Sequence, residues 1–154
     1  MFSIIIPTFN NIDYLKLCIE SIKKNSNYKH EILFHINEGN DGTLEYIKKQ
    51  GYKYTFSELN KGVCVAFNKC AKLASNKYIL LGHDDMYFCP GWDTVFFEEL
   101  KKVDKYEDFF LSGTMVQPFD SYINLNCGKT IEEFDEKKLL RELPKIQFND
   151  YQGT

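Results

Sequence analysis

The sequence has no apolar run long enough to cross a membrane and no block of like charge. The first absence excludes a membrane-spanning helix. The second, with 19 Lys and Arg against 22 Asp and Glu and a net charge of −3, removes the electrostatic case for nucleic acid or an anionic membrane as a partner. Cys18, Cys64, Cys70, Cys89 and Cys127 are odd in number and lack CxxC spacing, so neither a disulfide framework nor a zinc site is supported. His30, His35 and His83 are dispersed, and only His83 adjoins other polar chemistry. No GxGxxG follows the first apolar run and no GxxxxGK(S/T) occurs anywhere, which excludes the dinucleotide fingerprint and the P-loop. Internal repeats and low-complexity tracts are missing too. The chain opens directly into an apolar run rather than a basic segment with a cleavage site, so a cytoplasmic location is expected.

What is present alternates. Phe2–Ile6 is a continuous apolar run closed by Pro7, the pattern of a strand buried on both faces of a parallel sheet, with Pro7 to Asn10 as its exit loop. Ile12, Leu15, Ile19 and Ile22 then recur at helical spacing, up to Asn25-Ser26-Asn27. Glu31–Ile36 predicts a second strand, and residues 37–43 a polar loop in which Asn40 or Asp41 caps a helix that stops at Gly51. Tyr52–Phe56 predicts a third strand, followed by a loop through Asn60 and Gly62 and a helix with Val63, Phe67, Cys70, Ala71 and Ala74 inward. Tyr78–Leu81 predicts a buried fourth strand, followed by a helix whose stripe is Trp92, Val95, Phe96, Leu100 and Val103. Phe109–Val116 predicts a fifth strand, and Thr130-x-x-Glu133 a capping box for a last helix through Leu139, Leu140 and Leu143. Strands alternating with helices give an α/β class, a mainly parallel Rossmann-like sheet with helices on both faces.

Directly after the fourth strand come Asp84 and Asp85. Ligands of open α/β sheets bind beyond the carboxyl ends of the strands. Two adjacent carboxylates there repel unless a cation relieves them, and Mg2+ or Mn2+ is held by one or two carboxylates with waters and phosphates. A solvated turn is the plainer alternative for this dipeptide alone.

Ser-Ile-Ile-Ile-Pro-Thr-Phe-Asn (residues 3–10), Glu-Ile-Leu-Phe with Gly-Asn-Asp-Gly-Thr (within 31–43), Asn60-Lys61-Gly62 and His83-Asp84-Asp85, in this order, resemble the family 2 glycosyltransferases of the GT-A fold. The resemblance covers about residues 2–105. It implies a nucleotide-diphosphosugar donor, Mn2+ or Mg2+ as cofactor, and transfer with inversion to a glycan, lipid-linked or protein acceptor. By the same resemblance, Pro7, Thr8 and Asn10 line the nucleotide pocket, Asp41 lies near the base, and Asn60 and Gly62 border the nucleotide. Asp85 holds the metal, with Asp84 facing the ribose or the metal's waters. His83 departs from the form with an acid at that position. Ile36 stands where the family commonly has a base-binding aspartate, so Asn37 or Glu38 is the expected substitute. No general base is identified among Asp120, Glu132, Glu133 and Asp135.

The expected organisation is one GT-A-like domain over 1–154, with 1–105 binding the nucleotide sugar and 106–154 an incomplete acceptor-side part. Such a donor-binding half would leave an apolar face near Phe109–Val116 open to self-association. The rival readings are a nucleotide-sugar binding module without turnover, or a truncated fragment, and a nucleotidyltransferase-like metal-phosphate enzyme.

Overall fold

The structure, a computed structural model, describes residues 1–118 and 123–146. In chain order the elements are β1 (Phe2–Phe9), α1 (Ile12–Asn25), β2 (Glu31–Asn37), α2 (Thr43–Gln50), β3 (Lys53–Ser57), α3 (Val63–Ala71), β4 (Tyr78–Leu81), α4 (Trp92–Val103), β5 (Val116–Gln117), β6 (Ile123–Asn124) and α5 (Glu136–Glu142). They form two compact units, residues 1–99 and 100–154. No described helix is long and apolar enough to cross a membrane.

The first unit is a four-stranded parallel sheet in the order β3-β2-β1-β4. β1 and β2 are central, and Ile4, Ile5, Ile6, Leu33, Phe34 and Ile36 are at most 1% exposed. Alternation along the strands sends Ile5 and Leu33 to one face, where they meet Cys70 and Phe67 of α3. The opposite face carries α2, since Ile36 lies beside Gly39 and Leu44. α1 lies beside α2, with Lys16 and Lys23 over the rings of Tyr46 and Tyr52. Helices therefore cover both faces, as the alternating pattern predicts.

Two expectations about the strands are corrected. Pro7 does not close β1: the strand runs on to Phe9, and Pro7 pairs in register with His35. In a parallel strand the backbone groups of alternate residues face alternate neighbours. Ile5 accepts from Gly82 N–H on the β4 side, so Pro7, two residues on, turns its missing N–H toward the side where β4 has already ended. β4 itself is not buried on both faces. It is an edge strand, with Ile79 and Leu81 about half exposed. Val63 and Val95, expected inward, are also exposed; Ala66 and Phe97 are the inward residues, Phe97 stacking on Phe2 at 4.7 Å.

In the second unit, the fifth strand expected over Phe109–Val116 does not form. Gly113 interrupts the run, Phe110 is 81% exposed, and only Val116 of the run enters a short ladder with Ile123. The box at Thr130 and Glu133 does not cap the last helix either. Glu133 accepts from Lys129 N–H, and Asp135 caps α5 by accepting from Lys138 N–H, five residues beyond Thr130. Leu143 falls in a 3-10 turn after α5. Asp120 lies outside the described residues.

Candidate functional site at the carboxyl end of the sheet

The carboxyl ends of four parallel strands bring together loops 10–11, 37–42, 58–62 and 82–86, and side chains bind the loops to one another. Asn10 Oδ1 accepts from Asn40 N–H at 2.8 Å. Asp41 caps two helices at once, Oδ2 accepting from Ile12 N–H at 2.8 Å and Oδ1 from Thr43 N–H at 3.1 Å. Isolated helix N-termini leave such donors without partners, which is why one carboxylate serves both. Burial raises the Asp41 carboxyl, but these bonds outweigh it and hold the group below its ordinary range.

On the other side, Asn37 Oδ1 accepts from Lys61 N–H at 3.1 Å and Glu38 Oε1 from Asn60 N–H at 3.3 Å. Asn60 Oδ1 in turn accepts from Gly62 N–H at 2.9 Å, and Gly62 enters α3 at a φ of 80° that a side chain would strain. Asn10 at φ 46° and Glu38 at φ 62° are the non-glycine residues with left-handed backbone among those described. Backbone held in this sparse region clusters at binding sites. Both residues were expected at this site.

Asp84 and Asp85 complete the edge after β4. Asp85 is exposed and Asp84 half-buried. Among the described residues neither carboxylate forms an ion pair, and no group of three or more His, Cys, Asp or Glu side chains is arranged to hold a metal. Burial first, and Asp85 beside it, push the Asp84 carboxyl above its ordinary value. The polar groups of Thr8, Asn11 and the Phe9 backbone draw it partly back. Thr8 Oγ1 has no hydrogen-bond partner although Thr8 is buried. A buried hydroxyl near a carboxylate pushed upward by burial makes this edge the candidate site.

The turn bearing the acids is backed by α1. Cys18 Sγ donates to His83 carbonyl at 3.4 Å, and burial, then Asp84 and Asp85, push that thiol up to about 12. The His83 ring meets Phe67 edge-on. Gly82 approaches the sheet closely: a Cβ there would lie 3.2 Å from Ile6 Cγ1, a tight contact. Neither Asn11 beside Asp84 nor Cys18 beneath it was picked out from the sequence, where both read as ordinary helix positions.

Pro7 and Thr8 therefore sit within β1, while Asn10, Glu38, Asp41, Asn60 and Gly62 form the cross-linked loops and Asp84 and Asp85 the acidic turn. The Glycosyl transferase family 2 model matches residues 3–143. An uncharacterized glycosyltransferase of Mycoplasma genitalium is 28% identical over 96% of this chain and 49% of its own length, so the chain spans about half of that relative. Among solved structures, TarS 1–349 of S. aureus in complex with UDP superposes with a TM-score of 0.59 at 22% identity, over 66% of this chain and 32% of that one. The mannosyltransferase PcManGT of Pyrobaculum calidifontis, in complex with GDP-Man and Mn2+, gives 0.52 at 18% identity, over 61% of this chain and 30% of that one. At these identities the structures establish the fold, a GT-A-type α/β sheet. The family match spans both the sheet and the acidic turn at its carboxyl edge, and on it the chain belongs to glycosyl transferase family 2.

Proposed function

We propose that this chain binds a nucleoside-diphosphate sugar at the carboxyl edge of its sheet, with a divalent cation on Asp85, as the donor-binding part of an inverting glycosyltransferase. The observation that carries this reading is the Asp84–Asp85 pair. Two adjacent carboxylates have no ion-pair partner among the described residues, and one is pushed upward by burial. A pair of acids without a third protein ligand suits Mn2+ or Mg2+, which take their remaining positions from water and phosphate oxygens. Such an ion, when bound, stabilises the charge that grows on a departing nucleoside diphosphate.

The chain's own residues supply the rest. Asp85, exposed, is the metal ligand, and Asp84, beside Thr8 and Asn11, faces the ribose or the waters of the ion. Pro7, Thr8 and Asn10 form the floor of the nucleotide pocket, Asp41 and Gly62 its rim, and Glu38 with Asn60 its base-facing side. Ile36 is buried toward α2 and offers no polar group, so Glu38 takes the acidic role in base recognition. UDP and GDP, present in the two matching structures, are the donor nucleotides to try first.

A second reading, binding without turnover by this chain alone, is favoured by one observation. Of the acids considered as general base, Glu133 and Asp135 are each engaged by backbone N–H groups in local turns. The acceptor and the self-association expected of the exposed Phe110 and Met115 belong to the same proposal.

Calorimetric titration with UDP, GDP and their sugar conjugates, with and without Mn2+, tests the reading. Mn2+-dependent binding of one donor supports it, and equal binding with and without Mn2+ overturns the metal assignment. Adding an acceptor library separates transfer from binding.

A further inference from the structure

α1 carries two stripes. Leu15, Ile19 and Ile22 form the apolar one, while Cys18, Ser21 and Asn25, at i, i+3 and i+7, form a polar one that is just as buried, at 0%, 2% and 7% exposure. Polar side chains on a buried helix stripe are unfavourable unless each finds a partner. All three find theirs in the segment that follows β4. Cys18 Sγ donates to the His83 carbonyl at 3.4 Å. Ser21 Oγ accepts from Phe88 N–H at 2.9 Å and donates to the Cys18 carbonyl at 2.7 Å. Asn25 Nδ2 donates to the Phe88 carbonyl at 2.7 Å and to the Tyr87 hydroxyl at 3.0 Å, and the Asn25 carbonyl accepts from Gly91 N–H at 2.9 Å.

The bonded segment, 83–91, contains both acids and has no sheet partner of its own. Its own backbone supplies two turn contacts, Met86 N–H to the His83 carbonyl at 3.4 Å and Trp92 N–H to the Cys89 carbonyl at 3.2 Å. The position of Asp84 and Asp85 is therefore set from one side by Gly82, hydrogen-bonded to β1, and from the other by α1.

We propose that Cys18, Ser21 and Asn25 are positioning residues, a polar rail on α1 that holds the Asp84–Asp85 turn in the geometry required for divalent cation and diphosphate. The inference rests on the donor-binding reading above. None of the three touches the ligand; Cys18 acts through the His83 carbonyl beside the acids, and Ser21 and Asn25 through Tyr87, Phe88 and Gly91 in the segment that follows them. Loosening the rail then weakens the metal-dependent part of nucleotide binding and leaves the metal-independent part in place, because Asn10, Glu38 and Asn60 are fixed by bonds that do not involve α1's polar stripe.

The test uses the full chain, with UDP and GDP as probes, by calorimetry in Mn2+ and in EDTA, and with free Mn2+ followed by electron paramagnetic resonance. Ser21→Ala leaves the Phe88 N–H without its partner and is expected to weaken Mn2+-dependent binding about tenfold, the scale of one buried hydrogen bond left unmade. Binding in EDTA should stay within about twofold. Cys18→Ala should show a smaller loss of the same kind, and Cys18→Ser, which keeps a donor for His83, should restore it. Ile22→Val, on the apolar stripe, is the control for lost stability alone. Should Ser21→Ala fail to fold, the Cys18 pair carries the comparison. Selective loss of the Mn2+ increment in Ser21→Ala and Cys18→Ala, with rescue by Cys18→Ser, supports the rail. Equal losses in Ile22→Val, or losses equal in Mn2+ and EDTA, overturn it while the donor reading stands. Absence of any Mn2+ increment in the unsubstituted chain overturns the donor reading and the rail together.

Discussion

Acidic side chains sit at both ends of the same four strands, and the Asp84–Asp85 pair stands apart from the rest, since Asp41 at the carboxyl end is anchored like the acids of the amino end. At the amino end, Glu31 accepts from the Ser3 hydroxyl at 2.6 Å, from Ser75 N–H and hydroxyl at 2.9 Å each, and from Lys53 at 2.9 Å. Burial would raise this carboxyl, yet these bonds bring it down to about 2. Asp93, fully buried, accepts from Tyr28 N–H, Thr94 N–H and His30 Nε2, and is likewise held below its ordinary range against its burial. Phe2 N–H donates to His30 Nδ1, which leaves the Nε2 proton to face Asp93. At the carboxyl end, neither Asp84 nor Asp85 forms an ion pair among the described residues, and burial pushes the Asp84 carboxyl up against the pull of the polar groups of Thr8, Asn11 and the Phe9 backbone. A saturated acid serves the fold. A pair of acids without a counter-charge, at the carboxyl edge of the sheet, is what the proposed cation would relieve.

The comparison breaks most visibly at Asp93. Asp93→Ala strips the acceptor from the Tyr28 and Thr94 N–H groups and from His30 Nε2 and should destabilise the chain by about 1–3 kcal/mol, the cost of donors left unsatisfied. Urea unfolding monitored through Trp92 measures it, and an unchanged midpoint would show that saturation is not what this acid contributes.

Glu38 stands between the two classes, with one contact, to Asn60 N–H at 3.3 Å. If it recognises a base N–H, Glu38→Gln should weaken the preferred nucleoside diphosphate by about 1.5–3 kcal/mol, the range of a charge-assisted hydrogen bond. Unchanged discrimination between UDP and GDP would leave Glu38 a loop anchor only.

The pH dependence should also divide by end. Glu31 titrates lower in the folded chain than its ordinary 4.5, so its contribution is complete above that value and fades as the pH falls toward about 2. Glu31→Gln should therefore lower stability by about 1–2 kcal/mol at neutral pH, and the difference should shrink in acid. Asp84 has the reverse sign. Its folded value is raised, so its ionisation works increasingly against the fold as the pH climbs from the ordinary aspartate value of 3.8 to the raised one, and fully above it. Asp84→Asn should raise the thermal midpoint slightly at neutral pH and leave it unchanged well below 3.8, the ordinary aspartate value. A lowered midpoint at neutral pH would place Asp84 with the saturated acids.

The central strands and the helices flanking them were legible because apolar runs and helical spacing report burial directly. The edge was harder. Tyr78–Leu81 reads as a fully buried strand because Tyr, Ile and Leu are the same residues in either setting, and only the strand order shows that β4 has a neighbour on one side. Pro7 reads as a terminator, whereas its tolerance depends on where the neighbouring strand ends. Asp84 and Asp85 were singled out by their place after an apolar run, and Asn10, Glu38, Asp41, Asn60 and Gly62 by the family resemblance of the loops that carry them. The cross-links among these loops join residues about 20 to 30 positions apart, and pairings at that distance leave no local pattern. The polar rail on α1 did leave one, a Cys-x-x-Ser-x-x-x-Asn spacing beside the apolar stripe, which reads as a mixed helix face until its partners are known.

The most direct test of the account is to compare Asp85→Ala with the unsubstituted chain by calorimetric titration with UDP and GDP in Mn2+, alongside thermal unfolding. The account predicts that the Mn2+-dependent binding disappears while the unfolding midpoint is unchanged, since no hydrogen bond or ion pair of the described fold uses this carboxylate. Undiminished Mn2+ and nucleotide affinity in Asp85→Ala would contradict it.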